Sequence, residues 1–388
     1  MKQHSVLANC KLLKITCVTI AFLSVDLITH AQMVGTPYIP ADFQKPDQPG
    51  VITGPTSVCP SGKTQTYSVT AVPDATSYTW TLPANWTAEN LTTTTSSITV
   101  TPVWVSGAVE KNIADPTADT SSTSGQITVK TANASGSSSA SSLDVTTYNG
   151  CCAYSATGGY LKFMCFNLGA DESLDPFAYN SVNDTTSYDI KGWLFQWGRP
   201  ADGHQYRSSA TTTTYFTTNT PGSPLFVATM DSPFNWNSNT NDSQLWNLGT
   251  EDVPVKNIAN DPCPSGWRIP TRTEWNNIFR GGIDRGEPSS ATANTWTSIG
   301  TWSNSPYNGG YKVGNALYLP AAGNRSLNDG SLQYVGYSGY YWSSATYFTW
   351  SVYYLGFQSN SVDPGYGNED DYPIDFRTNG RSVRCIAQ

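Results

Sequence analysis

The sequence is short of charge, of histidine and of long apolar runs. Asp, Glu, Lys and Arg make up 13 % of its 388 residues, about half the share found in an ordinary soluble domain. The 29 acidic residues outnumber the 21 basic ones, for a net charge of −8. That balance argues against nucleic acid as a partner, because phosphate binding needs a basic patch that releases counterions. Beyond the N-terminal segment no stretch reaches the roughly 20 apolar residues of a membrane span. What is abundant is aromatic: 13 Trp and 22 Tyr argue for a folded chain, since disordered chains are poor in rings.

Residues 1–31 read as a secretory signal. Lys2, Lys11 and Lys14 make a positive start, Ile15 to Val25 is an apolar stretch, and Thr29-His30-Ala31 has the small-residue character of a cleavage site. The expected protein is exported, extracellular or on the outer cell surface, with no membrane span. Cleavage after Ala31 removes His4 and His30 and leaves His204 alone, which excludes a multi-histidine zinc site. It also removes Cys10 and Cys17 and leaves Cys59, Cys151, Cys152, Cys165, Cys263 and Cys385. An even number of cysteines in an exported chain favours disulfides over metal ligation.

Residues 32–50, with Pro37, Pro40, Pro46 and Pro49, read as an extended linker. From 51 to 148 the pattern changes to short segments with period-two alternation: Gln65–Thr70, Ser77–Leu82, Ser97–Thr101, Gly125–Lys130 and Ser142–Thr146. Several such strands with no helical period between them predict a small β-sandwich with Trp80 in its core. A long inter-strand loop is expected around Asp115 to Ser124.

Residues 149–388 form the second expected unit, richer in Gly, Trp and Tyr. Thr271-Arg-Thr-Glu274 is a capping box, in which the Thr hydroxyl and the Glu carboxylate satisfy exposed backbone N–H groups reciprocally. Trp275, Ile278 and Phe279 then share one helical face. Arg280 suits the helix C-terminus and Gly281-Gly282 a stop. Strands are expected at Trp267–Ile269, Ala316–Leu319, Tyr340–Trp342, Tyr353–Phe357 and Arg381–Cys385.

Two resemblances follow from these residues. Gly54, Val58-Cys59, Tyr78-Thr-Trp80, Gly125-Gln-Ile-Thr-Val129 and Ala132-Asn133 resemble the PKD-like, immunoglobulin-like modules of bacterial surface proteins, which implies a spacer. Ala134 stands where many relatives carry a second cysteine, so the partner of Cys59 stays open. The ordered set Phe163-Met-Cys-Phe-Asn-Leu-Gly169, Gln196-Trp-Gly-Arg199, Asp202-Gly-His204, Asp261-Pro-Cys-Pro-Ser-Gly-Trp-Arg-Ile-Pro270, Glu274-Trp275, Leu319-Pro-Ala-Ala-Gly323, Gly339-Tyr-Tyr-Trp-Ser-Ser344 and Ser382-Val-Arg-Cys385 resembles the Fibrobacter succinogenes major paralogous domain. That family is similar to C-type-lectin-like domains. The expected fold class is therefore mainly β: an N-terminal β-sandwich followed by an α+β, C-type-lectin-like domain. The resemblance implies a bridge between Cys263 and Cys385, and leaves Cys165 to pair with Cys151 or Cys152.

For function, the expected ligand surface lies between the Tyr-Tyr-Trp-Ser-Ser block and the C-terminus: Tyr347, Phe348, Trp350, Tyr353, Gln358 and Asn360. Tyr and Trp give large contact areas at low entropic cost, and they suit a glycan or a protein ligand. Trp342, Leu355 and Phe357 are expected in the core by strand alternation. The C-terminal position of these rings is similar to that of the variable residues in retroelement-diversified lectin-like proteins. The alternative is a secreted hydrolase in which Asp202 orients His204 as general base; without a nucleophile motif, His204 reads better as a loop-fixing residue. No cofactor is implied. Asp363, Glu369, Asp370, Asp371 and Asp375 crowd one segment, and such oxygen-rich loops suit calcium, but they lack a recognised spacing.

Overall fold

Thr, Val, Ile and Tyr at alternate positions give the N-terminal half strands with one dry face and one wet face. A computed structural model describes residues 44–103, 122–175, 177, 190–238, 242–279, 293–302, 308–348, 350–363 and 374–388. The expected leader, 1–31, and its cleavage site lie outside the described residues. Ser77–Thr81 buries Tyr78 and Trp80 and exposes Thr79 and Thr81. It pairs antiparallel with Ser122–Asn133, which pairs in turn with Ser141–Tyr148; Ser57–Val58 adds a parallel edge. The second sheet is the pair Gln65–Ser68 and Ser97–Val100. Between the sheets lie Val58, Tyr67, Trp80, Trp86, Ile98, Val100, Ile127, Val129 and Val145.

Two expectations need correction here. Residues 44–50, read as linker, lie along the sandwich: Thr131 Oγ1 donates to Asp47 O at 2.7 Å and Gln48 Nε2 to Ala140 O at 2.8 Å, and Pro46 and Pro49 are buried. A proline-rich stretch cannot donate a full ladder, but it can accept hydrogen bonds from a neighbouring strand. Ser122–Ser124, expected in a loop, extend the Ser122–Asn133 strand and pair with Thr146–Tyr148. The rest of that loop, 104–121, lies outside the described residues.

In residues 151–388 the ladders are short. One four-stranded sheet runs Trp267–Arg268, Ile386–Ala387, Tyr160–Phe163, Cys151–Tyr154, so the C-terminal strand sits beside the start of the unit. A second contains the hairpin Gly339–Thr346 and Ser351–Gln358, and the latter strand also pairs with Ser361–Asp363 and Ile374–Phe376. Trp342, Leu355 and Phe357 are buried. Arg381–Cys385, expected as a strand, pairs only briefly: Gly380–Arg381 and Ile386–Ala387 join different sheets.

One helix is present among the described residues, Arg272–Phe279. Its capping box is formed: Glu274 N–H donates to Thr271 Oγ1 at 3.2 Å, and Thr271 N–H donates to Glu274 Oε2 at 2.8 Å. Trp275 stacks on Phe163, with ring centroids 5.5 Å apart, and Ile278 is buried beside it. Arg280 and Gly281-Gly282 lie outside the described residues.

Long loops leave many carbonyls without ladder partners, and each buried one needs a donor. Tryptophan and arginine supply them. Trp342 Nε1 donates to Phe195 O (2.6 Å), Trp197 to Ser343 O (2.8 Å), Trp236 to Trp197 O (2.7 Å) and Trp246 to Asn260 O (3.1 Å). Arg384 holds Met164 O, Cys165 O and Asn167 Oδ1, while Arg199 holds Ser223 O and Leu225 O. Burial pulls the guanidinium pKa of Arg199, Arg325 and Arg384 down to about 10, still well above neutral pH.

Three disulfides complete the frame: Cys263–Cys385, Cys151–Cys165 and Cys59–Cys152. The first closes a loop of 122 residues, a constraint contributing about 5 kcal/mol in the chain-entropy account. The third settles the partner of Cys59 and ties the sandwich to the second half. Around it Cys59, Tyr148, Cys152, Tyr154 and Ala316 form a buried cluster with Tyr160 against it. Cys59 N–H donates to Tyr154 Oη at 3.2 Å, and Asn315 N–H to Ser61 O at 2.7 Å.

Candidate functional site

The hairpin Gly339–Thr346/Ser351–Gln358 carries Tyr347, Phe348 and Trp350 between its strands. Tyr347 and Phe348 N–H groups donate to Ser351 O, which folds the turn back on the strand. This places Phe348 and Trp350 outward, 54 % and 43 % exposed. The rings form a continuous row. Tyr347 lies 4.1 Å from Phe348, Phe348 6.3 Å from Trp350, Trp350 5.8 Å from Phe376, and Phe376 stacks on Phe234 at 4.5 Å.

Tyr353, expected on the ligand surface, is buried at 7 % exposure. Its ring packs 5.5 Å from Tyr347 and under the Arg272 guanidinium at 4.5 Å, so it supports the row from behind. Gln358 and Asn360 are exposed but do not join the row. Gln358 ends, and Asn360 follows, an eight-residue strand, and at 3.4 Å per residue that end is about 24 Å away. The six expected residues therefore divide into an exposed tip, one buried support and a pair at the opposite end of the hairpin.

Phe234 and Phe376 were not expected. They reach the row from a distant loop and from the strand Ile374–Phe376, and no local pattern marks either. Phe234 adopts φ of 58°, a left-handed conformation that is unusual for a bulky side chain. Below the row Asp375 Oδ2 accepts from Arg381 Nε at 2.6 Å and Asp375 Oδ1 from Asn379 Nδ2 at 2.6 Å. Asp375 is thus engaged by an internal ion pair. Of the expected oxygen-rich segment, Asp363 ends the strand Ser361–Asp363, and Glu369, Asp370 and Asp371 lie outside the described residues. Among the described residues no group of three His, Cys, Asp or Glu is placed to hold a metal.

His204 is fully buried. Its Nε2 accepts the Gln196 backbone N–H at 3.0 Å, and its Nδ1 lies 2.6 Å from Asp202 Oδ1. Nε2 therefore carries no proton, and the Nδ1 proton goes to Asp202. Arg199 Nε donates to Asp202 Oδ2 at 3.0 Å. Burial drives the imidazole pKa down to about 4. Both ring nitrogens are committed, and a buried ring offers no substrate a proton acceptor. Arg199, Asp202 and His204 together fasten the loop after Phe195–Gln196, the geometry of the loop-fixing reading that the sequence already preferred to a hydrolytic base.

Comparison with known proteins places a PKD-like domain at residues 45–114. No curated protein matches the sequence. A solved structure described as "Crystal Structure of FN3tt" is similar at 16 % identity over 28 % of this chain and 99 % of that one, with a TM-score of 0.20. Among the described residues no helix is long and apolar enough to cross a membrane.

Proposed function

We propose that the protein is an exported, surface-associated recognition protein that binds a glycan or protein ligand non-covalently through the row of rings at the hairpin tip. The observation that carries this reading is the exposure of Phe348 and Trp350 on a fixed aromatic base of Tyr347, Tyr353, Phe234 and Phe376. A soluble protein gains nothing in its own core from rings held in water, whereas exposed rings on a rigid support have the composition of a binding hot spot. The PKD-like module fits a spacer beside such a surface. We read residues 149–388 as a C-type-lectin-like domain of the Fibrobacter succinogenes major paralogous family; the Cys263–Cys385 bridge and the capped helix beside it support that reading. Three disulfides suit an oxidising compartment, and residues 1–31 have the pattern of an export signal.

The test is a glycan and protein array probed with the whole disulfide-bonded chain, followed by Trp350→Ala and Phe348→Ala. Each variant should weaken capture by about tenfold or more and leave the melting temperature nearly unchanged. Capture that is indifferent to both substitutions removes the tip as the binding surface.

A further inference from the structure

The opposite end of the same hairpin carries a second ring-bearing surface. The loop leading into Gly339–Thr346 presents Tyr334 and Tyr337, 55 % and 39 % exposed, with ring centroids 6.4 Å apart. The loop is held firmly. Gly336 N–H donates to Ala321 O at 2.7 Å, and both Tyr337 and Ser338 N–H groups donate to Tyr334 O at 2.9 Å. Gly323 has φ of 70°, and a Cβ there would meet Gln333 O at 2.3 Å, so the backbones are in direct contact. Beside it Arg207 donates to Ala322 O at 3.0 Å, which brings in exposed Tyr206, packed edge-on to Trp193 at 5.2 Å. Gln358 and Asn360 are exposed at this same end of the hairpin.

Tyr334 has φ of 56°. Glycine or asparagine would hold that conformation at lower cost, and a bulky residue kept there against its backbone preference points to a task for the side chain. The chemistry of the surroundings narrows the task. From Gly330 to Val362 the chain has no Asp, Glu, Lys, Arg or His. Flat ring faces match the C–H faces of a sugar, and Tyr hydroxyls with Gln and Asn amides match its hydroxyl rim. Within that stretch no fixed charge favours an anionic ligand.

We propose that Tyr334 and Tyr337 form a second binding surface, separate from the hairpin tip, for a neutral saccharide. This surface does not depend on the tip being a binding site.

The test is affinity electrophoresis of the whole protein in gels containing dextran, galactomannan, xyloglucan or, as the anionic arm, polygalacturonate. The expected result is retardation by at least one neutral polysaccharide, reduced about tenfold in Tyr334→Ala and in Tyr337→Ala but retained in Ile258→Ala, at an exposed apolar residue outside both surfaces. Tyr334→Gly supplies the readout that a structural role would not give: it should melt higher, through relief of the backbone, while losing retardation. The proposal is overturned by no retardation in any neutral gel, by retardation by polygalacturonate alone, or by tyrosine variants that migrate like the parent. Loss of retardation in Trp350→Ala alone assigns binding to the tip and likewise overturns it.

Discussion

Cys151 and Cys152 are neighbours in sequence and serve opposite sides of one strand. Cys151 bonds Cys165 within the C-terminal half, whereas Cys152 bonds Cys59 in the sandwich. Successive side chains of a strand point to opposite faces, so the pair lies across the junction and fastens each side. The sandwich is consequently a fixed extension of the second half: the bond is surrounded by Tyr148, Tyr154 and Tyr160, and Ser57 Oγ lies 2.9 Å from Tyr160 Oη.

Replacing both members of that bridge, Cys59→Ser with Cys152→Ser, should uncouple the halves. Scanning calorimetry is expected to resolve two transitions where the parent shows one, and small-angle scattering should report a broader distribution of sizes. A single transition at the parent temperature would mean that the tyrosine cluster alone holds the junction.

Stability should carry the signature of His204. Its folded-state pKa of about 4 lies below the unfolded value. Its contribution is therefore full above about pH 6.5 and is lost as pH falls from there through about 4, by up to roughly 3 kcal/mol. The measurement is the difference in unfolding free energy between the parent and His204→Gln across that window. The difference should narrow as pH falls; a constant offset would contradict the protonation argument.

The helix cap gives a graded pair. Thr271→Ala removes one capping acceptor and should cost about 1 kcal/mol. Glu274→Ala also strips the Arg268 guanidinium of its carboxylate, whose Oε2 accepts from Nη1 at 2.7 Å. Arg268 is buried, so the cost should reach about 3 kcal/mol. Denaturant titration of both variants checks the order, and equal losses would place Arg268 in contact with water.

Trp342→Phe keeps a ring in the core but removes the indole donor from Phe195 O. The buried carbonyl left without its partner should cost about 1–3 kcal/mol, in addition to the loss of volume. Hydrogen exchange should quicken at the Phe195–Gln196 segment, and unchanged protection there would show that the tie is dispensable.

Local rules were readable and distant ones were not. The capping box needs only Thr271 and Glu274, three residues apart, and the sandwich strands follow from period-two alternation around Tyr78 and Trp80. The tip at Phe348 and Trp350 could be read because it interrupts a strand pattern. Its base could not: Phe234 and Phe376 arrive from separate segments, and their meeting is a product of the tertiary fold. Gln358 and Asn360 show the reverse error, since closeness in sequence along an extended strand becomes separation in space. The partner of Cys59 was hidden for a similar reason, although two adjacent cysteines on one strand already imply two destinations.

The Cys59–Cys152 bond also has a mechanical side. A tether pulling on the sandwich and a ligand held at Trp350 would load the junction in series, and there the tension would pass through sulfur as well as through the peptide chain. Single-molecule stretching should then show the stretch between those cysteines staying short until the bridge is reduced, with extra contour length released only afterwards.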